Sequence, residues 1–245
     1  KYLKRVKSLL KKYTIEETSL TTFQNSPVIK VSSETQTELN KLFQAIHKKI
    51  PTYEADIKPH FRFMMDKNLK GTIDIEGNYY PSERIDRIYE EPRITPSDFT
   101  PKLKVTAIDI ETDKNSNKLF CIGMYSEKTK RVFMVTKHKL NNVISCETEE
   151  LCLQKFRTAI FDEDPDIITG WNFIDFDLSY LKKAFERHKI STDIGRNNTP
   201  LRLRIEKGFF RSSSADIPGR QVLDGLPLIR DPFIQEAPMI KNAKF

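Results

Sequence analysis

The sequence predicts an α/β protein in which a mixed sheet is flanked by helices and preceded by a smaller α+β domain. Three apolar runs with brief polar connections follow one another between residues 104 and 135, which is typical of an antiparallel meander. A helix-like segment then leads to a buried run at 167–171, and such a link favours parallel strands. Four prolines between 81 and 101 interrupt a polar stretch and indicate a domain connector.

Composition limits the class of protein. The 245 residues are 38% hydrophobic and 31% charged, which suits a soluble globular chain of one large or two smaller domains. The net charge of +7 favours a polyanionic partner. Three cysteines lack metal-ligand spacing, and their odd number argues against a disulfide framework. There is no signal peptide or long apolar run, so we expect no membrane association and an intracellular location in the cytoplasm or nucleoid. Because the first residue is Lys rather than Met, we also expect a piece of a longer protein.

The first hundred residues alternate short helical and strand patterns. Apolar residues at helical spacing on a basic background predict a helix over 1–13, which could lie on DNA or a membrane or simply expose a solvated face. Ser33 offers an N-cap for a second amphipathic helix that ends before Pro51. The other predicted elements are strands at 28–31, 53–57 and 73–76 and a short helix beginning at Pro59.

The second part begins near residue 100, which divides the chain into predicted domains 1–100 and 101–245. A helix of about 15 residues should begin near Glu147, and another should end near His188. A hairpin could join 209–212 to 221–223 around Pro218-Gly219. Predicted strands are 104–111, 119–125, 131–135 and 167–171. Three antiparallel strands, a helix, a parallel strand and a second helix are the order expected of a ribonuclease-H-like domain.

Two carboxylates mark the first predicted strand of that domain. Asp109 and Glu111 are two residues apart, so both should project from one face while Ile108 and Ile110 face the core. Neighbouring like charges raise each other's pKa unless a cation lies between them, and hard oxygen ligands favour Mg²⁺ or Mn²⁺. The alternative is an edge strand that carries two solvated acids.

A second informative stretch runs from Gly170 to Asp177, where the buried strand passes into the next helix. Ligands gather at such strand ends in open α/β sheets. An acid in a first helical turn is also favoured by the helix dipole, so Asp177 has a structural explanation as well as a functional one.

The two stretches together resemble the 3′–5′ exonuclease domain of family B DNA polymerases. The resemblance rests on Asp-Ile-Glu-Thr at 109–112 and on Asn-x-x-x-Phe-Asp at 172–177. The segment 53–66 resembles the N-terminal domain of archaeal and bacterial polymerase II-like members, and 219–225 resembles the strand after the exonuclease hairpin. The match covers roughly residues 50 to 245.

The resemblance implies a proofreading phosphodiesterase that removes mispaired 3′ nucleotides with two divalent cations, Mg²⁺ or Mn²⁺. Asp109, Glu111 and Asp177 match the family's catalytic, metal-binding carboxylates. Thr112, Asn172 and Phe176 are expected to contact DNA or support that contact, although Phe176 could instead pack beneath Asp177. The implied partners are a single-stranded or frayed primer 3′ end and the polymerase domain of the same longer chain, and a processivity factor stays open. Asp224 is interpreted as a turn or helix cap.

One family feature is missing from the sequence. The third exonuclease motif, Tyr-x-x-x-Asp, does not follow residue 177, and neither does the polymerase palm. We therefore expect a parent DNA-directed DNA polymerase whose present fragment cannot polymerise and hydrolyses DNA poorly. Two alternatives stay open: an inactive paralogue that serves as a DNA-binding or structural module, and a free-standing nuclease of the same superfamily.

Overall fold

The computed structural model describes residues 10–115, 118–206 and 213–235. These residues fold into two compact units. The first unit comprises the described residues up to Gly77 together with Glu91–Thr100, and the second comprises Asn78–Glu90 and the described residues from Pro101 onward. Most of the basic helix predicted over 1–13 lies outside the described residues. The assignment of 1–100 and 101–245 as functional domains stays a prediction.

The elements before residue 100 are mostly short. They are β1 (Thr14–Thr21), β2 (Pro27–Ser32), α1 (Gln36–Ile46), α2 (Pro59–Asp66), β3 (Ile73–Glu76), β4 (Tyr79–Ser82), β5 (Ile85–Tyr89) and β6 (Arg93–Pro96). Three antiparallel pairs result: β1 with β2, β3 with β6, and β4 with β5. Pro81 lies in β4 and Pro96 in β6, and two-stranded ladders tolerate both because every strand there is an edge. The stretch predicted as a domain connector therefore contains short regular strands.

Local corrections in the first unit have identifiable causes. The helix predicted after Ser33 exists, but its N-cap is Thr35, whose hydroxyl accepts the N–H of Glu38 at 3.3 Å. The strand predicted at 53–57 is a turn, because Glu54 has a positive φ of 57° and its carbonyl accepts the N–H of Ile57. The helix beginning at Pro59 and the strands at 28–31 and 73–76 are confirmed.

The second unit contains the large sheet. Its elements are β7 (Val105–Thr112), β8 (Leu119–Ser126), β9 (Lys130–Val135), β10 (Ile144–Cys146), α3 (Glu149–Glu163), β11 (Ile167–Gly170), a π-helical turn (Ile174–Leu178), α4 (Ser179–Arg187), β12 (Arg202–Arg204), β13 (Ser214–Asp216), β14 (Gln221–Asp224), α5 (Gly225–Arg230) and α6 (Pro232–Gln235). The six-stranded order is β10-β9-β8-β7-β11-β14. The predicted meander of β7, β8 and β9 is confirmed as antiparallel, and β11 pairs in parallel with both β7 and β14.

The predicted hairpin is wrong where it can be examined. Residues 209–212 lie outside the described residues, and 221–223 belongs to β14 of the main sheet. Pro218-Gly219 does form a turn, and Gly219 has a φ of +80°. The hairpin of this region instead pairs β12 with β13.

The core of the second unit lies between the sheet and α3 and α4. The fully buried members include Phe133, Phe156, Phe173 and Phe185. Along β7 the side chains alternate, with Ile108 and Ile110 buried and the acids between them exposed, as the period of two predicts. In the described residues, no helix combines the length and the apolar character that crossing a membrane would need.

Candidate active site

The candidate site lies at the carboxyl end of the sheet, where β7, β11 and β14 finish side by side. Asp109 and Glu111 project from β7 and are exposed, as the sequence predicted. Their partners across β8 are Gly123 and Cys121. A strand that holds its core residues on one face therefore presents two carboxylates together on the other.

Asp177 comes to this edge through the turn that follows β11. Gly170 ends the strand beside β7, and a Cβ at that position would lie 2.5 Å from the carbonyl oxygen of Ile108. The next turn is π-helical and buries Asp177, which is only 2% exposed. Its Oδ1 accepts the backbone N–H of Ile110 at 3.0 Å, so one hydrogen bond ties the turn to the strand that carries the other two acids.

Burial and neighbouring charge perturb the Asp177 carboxyl. Its pKa is raised to about 7, first because burial disfavours the charged form and then because the carboxylates of Asp109 and Asp224 lie nearby. The N–H groups of Ile110 and of Asp177 itself oppose this shift only partly. No lysine or arginine in the described residues forms an ion pair with Asp109, Glu111 or Asp177. Among the residues that the structure describes, Asp109, Glu111 and Asp177 thus have no lysine or arginine partner.

Asp224 anchors the other side of the turn. It ends β14 opposite Gly170, and its Oδ2 accepts the N–H of Ile174 at 2.9 Å. Its Oδ1 accepts the N–H of Leu226 at 3.0 Å and caps α5. The interpretation of Asp224 as a helix cap is confirmed, and both of its oxygens are used within the fold.

The kind of side chain at this edge favours a metal ion, whereas the spacing of the side chains does not form a complete metal site. Carboxylate oxygens are the ligands that Mg²⁺ and Mn²⁺ prefer, and a nearby cation would favour the charged form of Asp177, whose pKa is raised by burial and then by neighbouring carboxylates. However, no three acidic, histidine or cysteine side chains among the described residues lie close enough to hold one ion. Asp109, Glu111 and Asp177 therefore do not form one three-ligand group in this structure, and Asp177 accepts the N–H of Ile110.

The predicted DNA contacts occupy the same edge. Thr112 ends β7 and is half-buried, with its hydroxyl donating to the carbonyl of Asp113 at 3.1 Å. Asn172 has a positive φ of 52°, and its carbonyl accepts the N–H of Phe176 at 3.1 Å to open the turn. Phe176 is 39% exposed, so part of its ring is open to solvent, and both a DNA contact and packing beneath Asp177 stay predictions. The buried aromatic of the turn is Phe173.

Two residues of this edge were missed by the sequence reasoning. Cys121 faces Glu111 across the β7–β8 ladder, and burial together with the carboxylates of Glu111 and Asp109 raises the pKa of its thiol. Because the connection between β7 and β8 is short, the register of the two strands could have predicted that Cys121 lies opposite Glu111. Trp171 directly follows β11 and is 59% exposed. A large aromatic between a strand end and an acidic motif was the corresponding signal.

Comparison with known proteins agrees with this architecture. A sequence model of the DNA polymerase family B exonuclease domain matches residues 112–235, a range that includes Asp177 and begins just after Glu111. DNA polymerase II of Escherichia coli (strain K12) is 30% identical over 192 residues, which cover 75% of this chain and 24% of that protein. A DNA polymerase of Archaeoglobus fulgidus is 31% identical over 180 residues, covering 70% of this chain and 21% of the polymerase.

A solved structure extends the similarity to the fold. The family B DNA polymerase of Pyrobaculum calidifontis superposes with a TM-score of 0.68 at 20% identity, over 94% of this chain and 31% of that one. The present chain spans only about a quarter of the length of the curated relatives it matches. Because the family model covers about half of the chain, the chain belongs to the family B DNA polymerases and corresponds to their N-terminal and exonuclease region.

Proposed function

We propose that this chain is the proofreading part of a DNA-directed DNA polymerase of family B. In this proposal residues 1–100 are the N-terminal domain and 101–245 are part of a ribonuclease-H-like 3′–5′ exonuclease domain. The observation that carries the proposal is the state of Asp177, which is a buried carboxyl beside Asp109, at a strand edge without a pairing lysine or arginine among the described residues. Ionising a buried carboxyl without a pairing cation is costly, and carboxyls perturbed in this way are typical of functional sites.

In the proposed reaction Asp109, Glu111 and Asp177 hold divalent cations, Mg²⁺ or Mn²⁺. When bound, such cations supply an activated water and stabilise the negative charge that develops on the departing 3′ oxygen. The protein's own contribution is orientation. Ile110 holds Asp177 through its N–H, and Asp224 holds the start of the turn through Ile174, so the reacting edge rests on two strands.

The proposed substrate is an unpaired primer 3′ end. Thr112 follows Glu111 in the sequence, and Asn172 and Phe176 precede Asp177. The exposed part of the Phe176 ring offers a surface for a base. The exposed Arg202 and Arg204 of β12 could attract phosphates, which would make binding sensitive to salt. Most of the basic segment predicted as a helix over 1–13, for which DNA was one of the partners left open, lies outside the described residues.

The test compares the 245-residue chain with the longest polypeptide that its reading frame encodes. We expect the longer protein to trim a mismatched primer in Mg²⁺, and the short chain to trim it weakly or not at all. In the longer protein, Asp109→Ala or Asp177→Ala should reduce the trimming rate by at least about a hundredfold, as when one electrostatic stabiliser is lost. Asp162→Ala, which changes an exposed acid at the end of α3, is the matched control and should leave the rate unchanged.

A second candidate is an inactive paralogue that binds DNA without cutting it. The lack of a three-ligand group among the described side chains favours it. Salt-sensitive binding of single-stranded DNA by the longer protein, with no trimming in Mg²⁺ or Mn²⁺, would support this alternative. Trimming that survives replacement of both Asp109 and Asp177 would show that the site lies elsewhere.

A further inference from the structure

Trp171 is the single tryptophan of the chain, and it stands on the surface at the candidate site. A tryptophan can bury about 150–250 Å², so one that stays 59% exposed forgoes much of the stabilisation available to it. The neighbouring aromatic of the same segment, Phe173, is fully buried. Packing within the fold therefore does not account for the position of the indole.

The indole nevertheless has a defined position on the backbone around it. Trp171 lies between Gly170, which cannot carry a side chain beside Ile108, and Asn172, which opens the turn of Asp177. One edge of the ring rests over Gly225, where an added Cβ would lie 3.3 Å from Cε3. The ring is supported by backbone at that edge while more than half of the residue stays open to solvent.

We propose that Trp171 is a DNA-binding residue, whose indole stacks on an unpaired base of the strand entering the exonuclease site. The inference rests on the proposed function and adds a residue to it. An aromatic face binds any base, since every base has a π-surface, and such stacking suits a site that must accept any mispaired nucleotide. A supported ring also loses little conformational freedom when a base binds.

The experiment uses the fact that Trp171 is the chain's one tryptophan. A fluorescein-labelled single-stranded oligothymidine is titrated with the 245-residue chain in EDTA, where binding proceeds without hydrolysis, and anisotropy reports the affinity. Unlabelled oligothymidine then quenches the tryptophan emission if a base stacks on the indole. We expect saturable quenching with the same dissociation constant that anisotropy gives.

Variants provide the second measurement. Trp171→Ala should weaken binding by roughly five- to a hundredfold, as expected for loss of one stacked base, while Trp171→Phe should weaken it less. Tyr125→Ala is the matched control, because Tyr125 is a 55% exposed aromatic near the opposite end of β7, where it pairs with Ala107. This control should bind as the unchanged chain does.

Each outcome decides between the claims. Binding by anisotropy with unchanged tryptophan emission, or with equal affinity for Trp171→Ala, overturns the role of Trp171 and leaves the proposed function standing. Absence of any binding at low salt by the unchanged chain contradicts the DNA-binding part of the proposed function and this inference with it. Equal weakening by Trp171→Ala and Tyr125→Ala would also overturn the inference, because it would indicate a general loss of structure.

Discussion

Acidic residues lie at both ends of the main sheet, and the two sets differ in their hydrogen-bond partners. At the amino end, where β7, β11 and β14 begin, Asp164 accepts hydrogen bonds from Arg196 and Arg220, both at 2.8 Å. Asp166 accepts from Arg196 at 2.9 Å and from the N–H of Lys104 at 2.8 Å. At the carboxyl end, Asp177 accepts backbone N–H groups and has no side-chain donor within the described part of the chain.

The pKa values follow this difference. Burial alone would raise the pKa of Asp164 and of Asp166, but hydrogen bonds from the arginines, and from Lys104 N–H to Asp166, lower both. Burial and like charge raise the pKa of Asp177 to about 7. Acids that the fold neutralises hold strands together, whereas acids that it leaves unneutralised are available to a cation from solution. The same residue type thus serves structure at one end and the proposed chemistry at the other.

The largest effect on stability should come from breaking the amino end. Arg220 is 8% exposed and donates to Asp164 and to the carbonyls of Ile194 and Pro165. Arg220→Met should lower the free energy of unfolding by about 3 kcal/mol, because it leaves the buried carbonyls of Ile194 and Pro165 without their donor and takes an ion pair from the half-exposed Asp164. Urea denaturation at neutral pH measures this loss.

The matched control for that change is Arg202→Met. The Arg202 side chain is 70% exposed and its Nε is 3.8 Å from Asp216, so its loss should change stability by no more than about 0.5 kcal/mol. Similar losses of stability for both variants would show that the contacts of Arg220 at the amino end of the sheet stabilise the fold no more than an exposed ion pair does.

Replacing an acid at the carboxyl end of the sheet should raise the free energy of unfolding. Asp177→Asn keeps an oxygen for the N–H of Ile110 and removes a buried charge. In EDTA at pH 8 it should therefore stabilise the chain by roughly 1–3 kcal/mol, the upper part of this range being limited by the new amide N–H groups that need partners. Denaturant titrations of both proteins across pH provide the test.

The sign of the pH dependence is fixed by the direction of the shift. Because the folded pKa of Asp177 is raised above its ordinary value of 3.8, the carboxyl contributes stability that is fully present below pH 3.8. That stability is lost as pH rises through about 7. The advantage of Asp177→Asn should consequently shrink as pH falls from 8 to 4, and an advantage that grows on acidification would contradict the assignment.

The sequence predicted what depends on local pattern. The alternation of β7 follows from a period of two, and the meander follows from short polar connections. The site edge could be anticipated because Asp109 and Asp177 lie at neighbouring strand ends. What was missed depends on long-range pairing: Gln221 joins Ile167 in a parallel ladder, and no local signal distinguishes that partner from a hairpin partner.

Other misses came from competing local preferences. Apolar and aromatic residues at 53–57 favoured a strand, but the left-handed backbone of Glu54 turns the chain there. The prolines of 81–101 masked short strands that a two-stranded ladder tolerates. At the site, the distance between Asp109 and Asp177 depends on the π-helical turn and on Asp224, and neither follows from spacing in the sequence.

Divalent cations should stabilise the chain through the carboxyl end alone. At a Mn²⁺ concentration about ten times the dissociation constant, binding to the folded state adds about 1.4 kcal/mol to the free energy of unfolding. The gain should be lost in Asp177→Asn and kept in Arg202→Met, whose change lies on a separate hairpin. Thermal denaturation with and without Mn²⁺ measures it. An equal gain in both variants would place the ion elsewhere.

The smallest effect should come from Asp166, and it should carry the opposite pH signature to that of Asp177. Its side chain is 30% exposed and joins Arg196 to Lys104, so Asp166→Asn should cost about 1 kcal/mol at pH 7. Because the folded pKa of Asp166 is lowered, its contribution is present above the ordinary value of 3.8 and is lost as pH falls through the lower folded value. The difference between the two proteins should therefore be constant from pH 7 to 5 and shrink below pH 4. Urea titrations on the same pH series as for Asp177 make the comparison direct. A difference that persists unchanged into acid would mean that the Asp166 carboxylate is not bound more tightly in the fold than in the unfolded chain, and the contrast between the two ends of the sheet would lose its electrostatic basis.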